Sequence, residues 1–163
     1  MTLFKTTALF TAAVASVVAF SSYNEAAATP ARVAGNPHEL IINQVRDAGY
    51  TPYRGSNKCQ ASNGLMGYIN AEHRHFVICR DNVPFPALAL ATIRHEALHV
   101  AQRCKGGLLW PKYAHLNVER AIDEGFQPGT YPAHQLRLEA EARVMSQELD
   151  AYEVAAVVRD ACR

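Results

Sequence analysis

Arg94-His95-Glu96-Ala97-Leu98-His99-Val100-Ala101-Gln102 is the stretch on which the reading of the whole chain turns. It lies inside a run, from Ala87 to about Lys105, that carries no breaker and ends at Gly106-Gly107, which predicts one long helix. On a helix His95 and His99 are one turn apart, so both imidazoles leave the same face with Cβ atoms roughly 5–6 Å apart. That spacing suits two ligands of one tetrahedral Zn²⁺. Glu96 stands next to the pair but off its ligating line, where a general base for a metal-activated water belongs. Leu98 and the alanines turn the other way and can pack into a core. The pattern is H-E-x-x-H.

Upstream of this helix, Asp81-Asn82-Val83-Pro84-Phe85-Pro86 breaks the chain. Before the break, Leu65 to Asn70 and His75 to Arg80 are short β-prone runs around Ala71-Glu72-His73-Arg74, which predicts an antiparallel hairpin. Residues 50–63 are rich in Pro, Gly, Ser and Asn and read as loop. Earlier still, Asn36-Pro37-His38-Glu39 has the form of a helix start, Leu40, Ile41, Val45 and Ala48 share one face, and Gly49 stops the element. Downstream, a short helix is expected from about Val118 to Glu124. The helical pattern after Ala133 divides at Asp150-Ala151-Tyr152-Glu153, a second capping box, into helices of about 134–148 and 151–161. The fold class this predicts is α+β, a mostly helical single domain with a small antiparallel hairpin before the H-E-x-x-H helix.

The N-terminus reads as an address. Lys5 precedes an apolar run from Thr6 to Phe20, and Ala26-Ala27-Ala28 offers the small-x-small pattern of a signal-peptidase site. The run is shorter than the roughly 17 residues a spanning helix needs. Residues 1–28 are therefore expected to be a signal peptide and 29–163 an exported domain, in a periplasm, a lumen or the extracellular medium. In an oxidising compartment the four cysteines default to two disulfides out of three possible pairings. Cys59 and Cys79 flank the hairpin, and a turn near Asp150 brings Cys162 back to Cys104 at the end of the long helix. The expected bridges are Cys59–Cys79 and Cys104–Cys162.

With 163 residues, 49% hydrophobic and 16 basic against 15 acidic side chains, the chain is too apolar for disorder and too evenly charged for a nucleic-acid footprint. No nucleic-acid partner is expected, nor stable membrane association once the signal segment is removed.

The motif His95-Glu96-Ala97-Leu98-His99, preceded by a hairpin ending in Val77-Ile78-Cys79 and followed by a helical Glu-x-Glu-Ala, resembles the gluzincin metallopeptidases, in size their minigluzincin members. The likeness covers roughly residues 64–148. Gln102 and Lys105 occupy the places where metzincins carry Gly and a third His. The resemblance implies a zincin-like fold, a Zn²⁺ cofactor, a peptide or protein substrate, Glu96 as the catalytic base, and a third metal ligand from a Glu on a later helix. Glu139 with Ala142 fits the E-x-x-A-D form of that helix, although Arg143 stands where the Asp is expected. By helical pattern alone, Glu139 and Glu141 flank the buried stripe of Leu138, Ala142, Met145 and Leu149 on opposite sides. They cannot both face one metal. The ligand set adopted is His95, His99 and Glu139.

The resemblance further implies a strand-like substrate, expected along the hairpin edge near His75 to Arg80. It also implies an oxyanion partner, for which Tyr131, His134, Tyr113 and His115 qualify by residue type. His73 and His75 read as turn residues, and Trp110 as a cap on the core. Gln102 lies on the ligand face one turn beyond His99, free to bond near the metal or to face solvent. The rival to a peptidase is a non-catalytic exported binding module that keeps the zinc as structure; the plainest alternative is a helical disulfide scaffold without metal.

Overall fold

The computed structural model describes residues 36–163; the expected signal segment lies outside them. The elements are α1 (Pro37–Asp47), β1 (Thr51–Arg54), α2 (Asn57–Ala61), β2 (Gly67–Asn70), β3 (His75–Ile78), α3 (Pro86–Lys105), α4 (Ala114–Asp123), α5 (Ala133–Glu148) and α6 (Ala151–Ala161). Helices dominate and the strands form one small sheet, so the class is α+β. Among the described residues no helix is long and apolar enough to cross a membrane.

Local chemistry sets most of these boundaries. The Asn36 side chain accepts from the His38 N–H and caps α1, with Pro37 at the first position. In α3, Pro86 opens the helix and Gly106, in the left-handed region at φ 77°, closes it. Asp150 and Glu153 form the reciprocal capping box that starts α6. Helix α4 begins at Ala114, four residues before the expected start, because a 3-10 turn over Pro111–Tyr113 leads straight into it.

The main core gathers Ile41 and Val45 of α1, Phe76 and Ile78 of β3, Leu98 and Val100 of α3, and Val154 and Val158 of α6. A second cluster joins α4 to α5 through Ala121, Phe126, Ala140 and Val144. Both expected disulfides are present: Cys59–Cys79 ties α2 to the end of β3, and Cys104–Cys162 ties the end of α3 to the end of α6.

The sheet differs from the expectation. The hairpin is there, with Gly67 opposite Ile78 and Asn70 opposite His75. A third strand, β1, pairs parallel to β3 on its other side, Thr51 opposite His75 through Arg54 opposite Ile78, giving the order β1-β3-β2. Both β1 and α2 fall in the stretch read as loop. Pro52 disguised the strand, but Thr51 and Gly55 donate to Arg74 and Ile78 carbonyls, so alternation turns the Pro52 nitrogen outward, where no N–H is needed. Strand β3 is therefore central, with both edges paired, and no substrate strand can add to it along His75 to Arg80. The open edge on the hairpin side belongs to β2. Since Cys79 donates to the Met66 carbonyl, the antiparallel alternation points the N–H and C=O groups of Gly67 and Ile69 outward.

Candidate metal centre

Helix α3 carries His95, Glu96 and His99, and α5 packs against it, bringing Glu139 across from the two histidines. The His95 and His99 Nε2 atoms are 3.1 Å apart, and their rings meet edge to face. The Glu139 carboxylate lies 3.5 Å from His95 Nε2 and 3.4 Å from His99 Nε2. Zinc–nitrogen and zinc–oxygen bonds of about 2.0–2.1 Å place the corners of a tetrahedron about 3.3 Å apart. The three donors already stand at nearly that spacing, and among the described residues they are the group of such side chains able to hold a metal ion. The donor set, two imidazole nitrogens and one carboxylate, fits Zn²⁺, and fits the open three-ligand type better than a closed structural site.

Glu141, two residues on, points elsewhere. It is fully buried, its Oε2 accepting from Gln102 Nε2 at 2.9 Å and the Leu109 N–H at 2.8 Å, and its Oε1 from the Trp110 N–H at 2.7 Å. It thus anchors the loop after α3. Trp110 packs against the core, as expected of a cap. Arg143 turns to the Glu124 carbonyl at the end of α4.

Glu96 is buried beside the histidines and accepts no hydrogen bond among the described residues. Burial pushes its carboxyl above the ordinary 4.5, and the charge of Glu139 adds to that; His95, His99 and Lys58 pull the other way without cancelling it. In Glu139 burial acts upward too, but hydrogen bonds from both histidines outweigh it and hold the carboxyl down at about 2. For His99 burial acts to lower the pKa, and its bond to Glu139 with the charges of Glu139 and Glu96 raises it instead.

Strand β2 runs against this part of α3. A Cβ built on Gly67 would stand 2.9 Å from Glu96 Cγ and 2.9 Å from Thr92 Cγ2, so only glycine lets the strand approach the Glu96 side chain so closely. All four oxyanion candidates are exposed; Tyr131, which stacks on Phe126, is the one whose hydroxyl feels the charges of Glu139, Arg143 and Glu96. Burial, with the two carboxylates, raises its pKa. His73 and His75 sit ring to ring at the hairpin turn, 5.7 Å apart, with Tyr53 against His75.

Two residues at this centre escaped sequence reasoning, Gly67 and Glu141 as an anchor, while for Gln102 the structure decides between the two alternatives in favour of a bond to His99. Gln102 is buried, and its Oε1 lies 2.7 Å from His99 Nδ1. Only its position three residues after a ligand hinted at this.

Residues 31–163 match a protein family described as a domain of unknown function, DUF8637. No curated protein and no solved structure matches the chain.

Proposed function

We propose that this chain, which belongs to the DUF8637 family, is an exported zinc-dependent peptidase of gluzincin type. The observation that carries the reading is the convergence of His95 Nε2, His99 Nε2 and the Glu139 carboxylate on one point, with an unpartnered carboxylate, Glu96, buried next to it. A purely structural metal site has no use for that second acid, whose charged form burial disfavours. The two disulfides support export, since such bonds persist in oxidising compartments.

His95, His99 and Glu139 would hold the metal. Zn²⁺, when bound, supplies Lewis-acid polarisation of water and of the peptide carbonyl. Glu96 accepts the proton that the attacking water loses as its oxygen bonds to the carbonyl carbon. It then passes that proton to the amide nitrogen as the C–N bond breaks. A raised pKa suits a group that must both take and return a proton near neutrality. The Tyr131 hydroxyl, which feels the charges of Glu139 and Glu96, is the candidate donor to the developing oxyanion. An extended substrate would add to the outer edge of β2, where the outward N–H and C=O groups of the part-buried Ile69 are available to pair with it.

The test pairs metal content with turnover. The domain without residues 1–28, produced in an oxidising compartment, is expected to hold one zinc per chain and to cleave members of a peptide library. Glu96→Gln should keep the zinc and lose about 10²–10⁴-fold in turnover. Equal cleavage by wild type and variant would remove Glu96 from the mechanism and the enzyme reading with it.

A further inference from the structure

The hydrogen bonds behind His99 leave little freedom in where its proton sits. Both amide hydrogens of Gln102 are committed: Nε2 donates to the Leu138 carbonyl at 3.0 Å and to Glu141 Oε2 at 2.9 Å. The Leu138 carbonyl can only accept. Glu141 also receives the Leu109 and Trp110 N–H groups, the pattern of an ionised carboxylate that accepts from every side. Reversing the Gln102 amide would set oxygen against both acceptors, so Oε1 must be the atom that faces His99. An amide oxygen cannot donate. The proton in the 2.7 Å contact therefore resides on His99 Nδ1. In the neutral ring that leaves Nε2 with a bare lone pair, and Nε2 is the atom turned toward His95 and Glu139.

We propose that Glu141 and Gln102 are positioning residues for the metal centre: Glu141 orients the Gln102 amide, and Gln102 locks His99 in the orientation and tautomer that presents Nε2 to the ion. This rests on the metal-site reading above. The relay does the work of a carboxylate bonded directly to a ligating histidine, for which Arg143 leaves no place on α5. It is also built to be rigid. Gln102 is 3% exposed and Glu141 0%, and the far end of the relay is fixed to two backbone N–H groups rather than to mobile side chains. The loop after α3 thus reports on the metal ligand through two side chains.

The test uses Gln102→Met, which keeps length and burial and removes both the acceptor and the donors. Zinc affinity is measured by chelator competition on wild type and variant, and the His99 Nδ1–H resonance is followed by ¹⁵N-edited NMR in the zinc-loaded proteins. Wild type should hold one zinc per chain and show a downfield, slowly exchanging His99 Nδ1–H. The variant should bind zinc about 10–100-fold more weakly and lose that protection. Melting of both proteins without metal monitors folding, which a merely structural role would change while leaving affinity alone. Affinity within twofold of wild type in a folded variant overturns the relay and leaves the metal site standing. So does a rapidly exchanging Nδ1–H in zinc-loaded wild type, a result that needs no variant. Wild type without zinc refutes the metal reading itself, and the relay with it.

Discussion

Gly67→Ala is the sharpest probe of the contact between β2 and helix α3. The added Cβ would meet Glu96 Cγ and Thr92 Cγ2 at 2.9 Å and the Val77 carbonyl oxygen at 3.0 Å, where ordinary contact begins at 3.4 Å. Something must move by about half an ångström. Val77 O is backbone in the central strand, and Thr92 is buried with its hydroxyl bonded to the Leu88 carbonyl, so both resist. Glu96, with no hydrogen bond to hold it, gives first. Overpacking of this kind costs about 1–3 kcal/mol. For a domain of this size that lowers the melting temperature by roughly 3–12 °C. Turnover should fall as well, about 10²-fold, because the displaced group is the proposed base. Zinc stoichiometry should stay at one, since the three atoms nearest the added methyl belong to Glu96, Thr92 and Val77 and to none of His95, His99 and Glu139. Gly107→Ala is the control: nothing lies within 4 Å of its added Cβ, and its effect should stay within about 0.5 kcal/mol. Thermal melts, metal analysis and peptide turnover read all three quantities. A Gly67→Ala protein that melts and turns over like wild type would refute the close approach of β2 to Glu96.

The two glutamates of α5 should separate cleanly in a paired experiment. Glu139→Ala is expected to abolish stoichiometric zinc with little change in the metal-free melt. Glu141→Ala strands the Leu109 and Trp110 N–H groups and Gln102 Nε2, at about 1–3 kcal/mol for each buried donor, and should unfold at markedly lower urea. With its folded pKa raised, Glu96 favours folding below 4.5 and loses that contribution as pH rises through the folded value, so metal-free Glu96→Gln should melt above wild type at pH 7. Removing Cys104–Cys162, which closes 58 residues, should cost about 4 kcal/mol, and removing Cys59–Cys79, which closes 20, about 3 kcal/mol, in denaturation of the two double-Ser variants.

The parts of the fold legible in the sequence were those that short-range physics controls. Asn36, Gly106 and the Asp150–Glu153 box act within a few residues of themselves, and the helices they bound appear where expected. The disulfide pairing was accessible because one bridge spans a hairpin and the other needs only a turn before α6. Strand β1 was not accessible. Four residues including a proline carry no period of their own, and what makes them a strand is the free edge of β3. That pairing in turn closes β3 to the strand addition expected along it.

At the metal centre the same division holds. The juxtaposition of His95 and His99 is a property of one helix, fixed by 3.6 residues per turn, and follows from sequence alone. So does the neighbouring position of Glu96. The choice between Glu139 and Glu141 is not helical information, because the two stand on opposite flanks of one stripe and only the packing of α5 on α3 decides which flank meets the histidines. The direction of the Gln102 amide is likewise beyond the sequence: it depends on acceptors from α5, themselves anchored by backbone N–H groups of a loop more than thirty residues earlier. Spacing along a helix is set by covalent geometry, whereas hydrogen-bond partners across helices exist only once the core has brought them together.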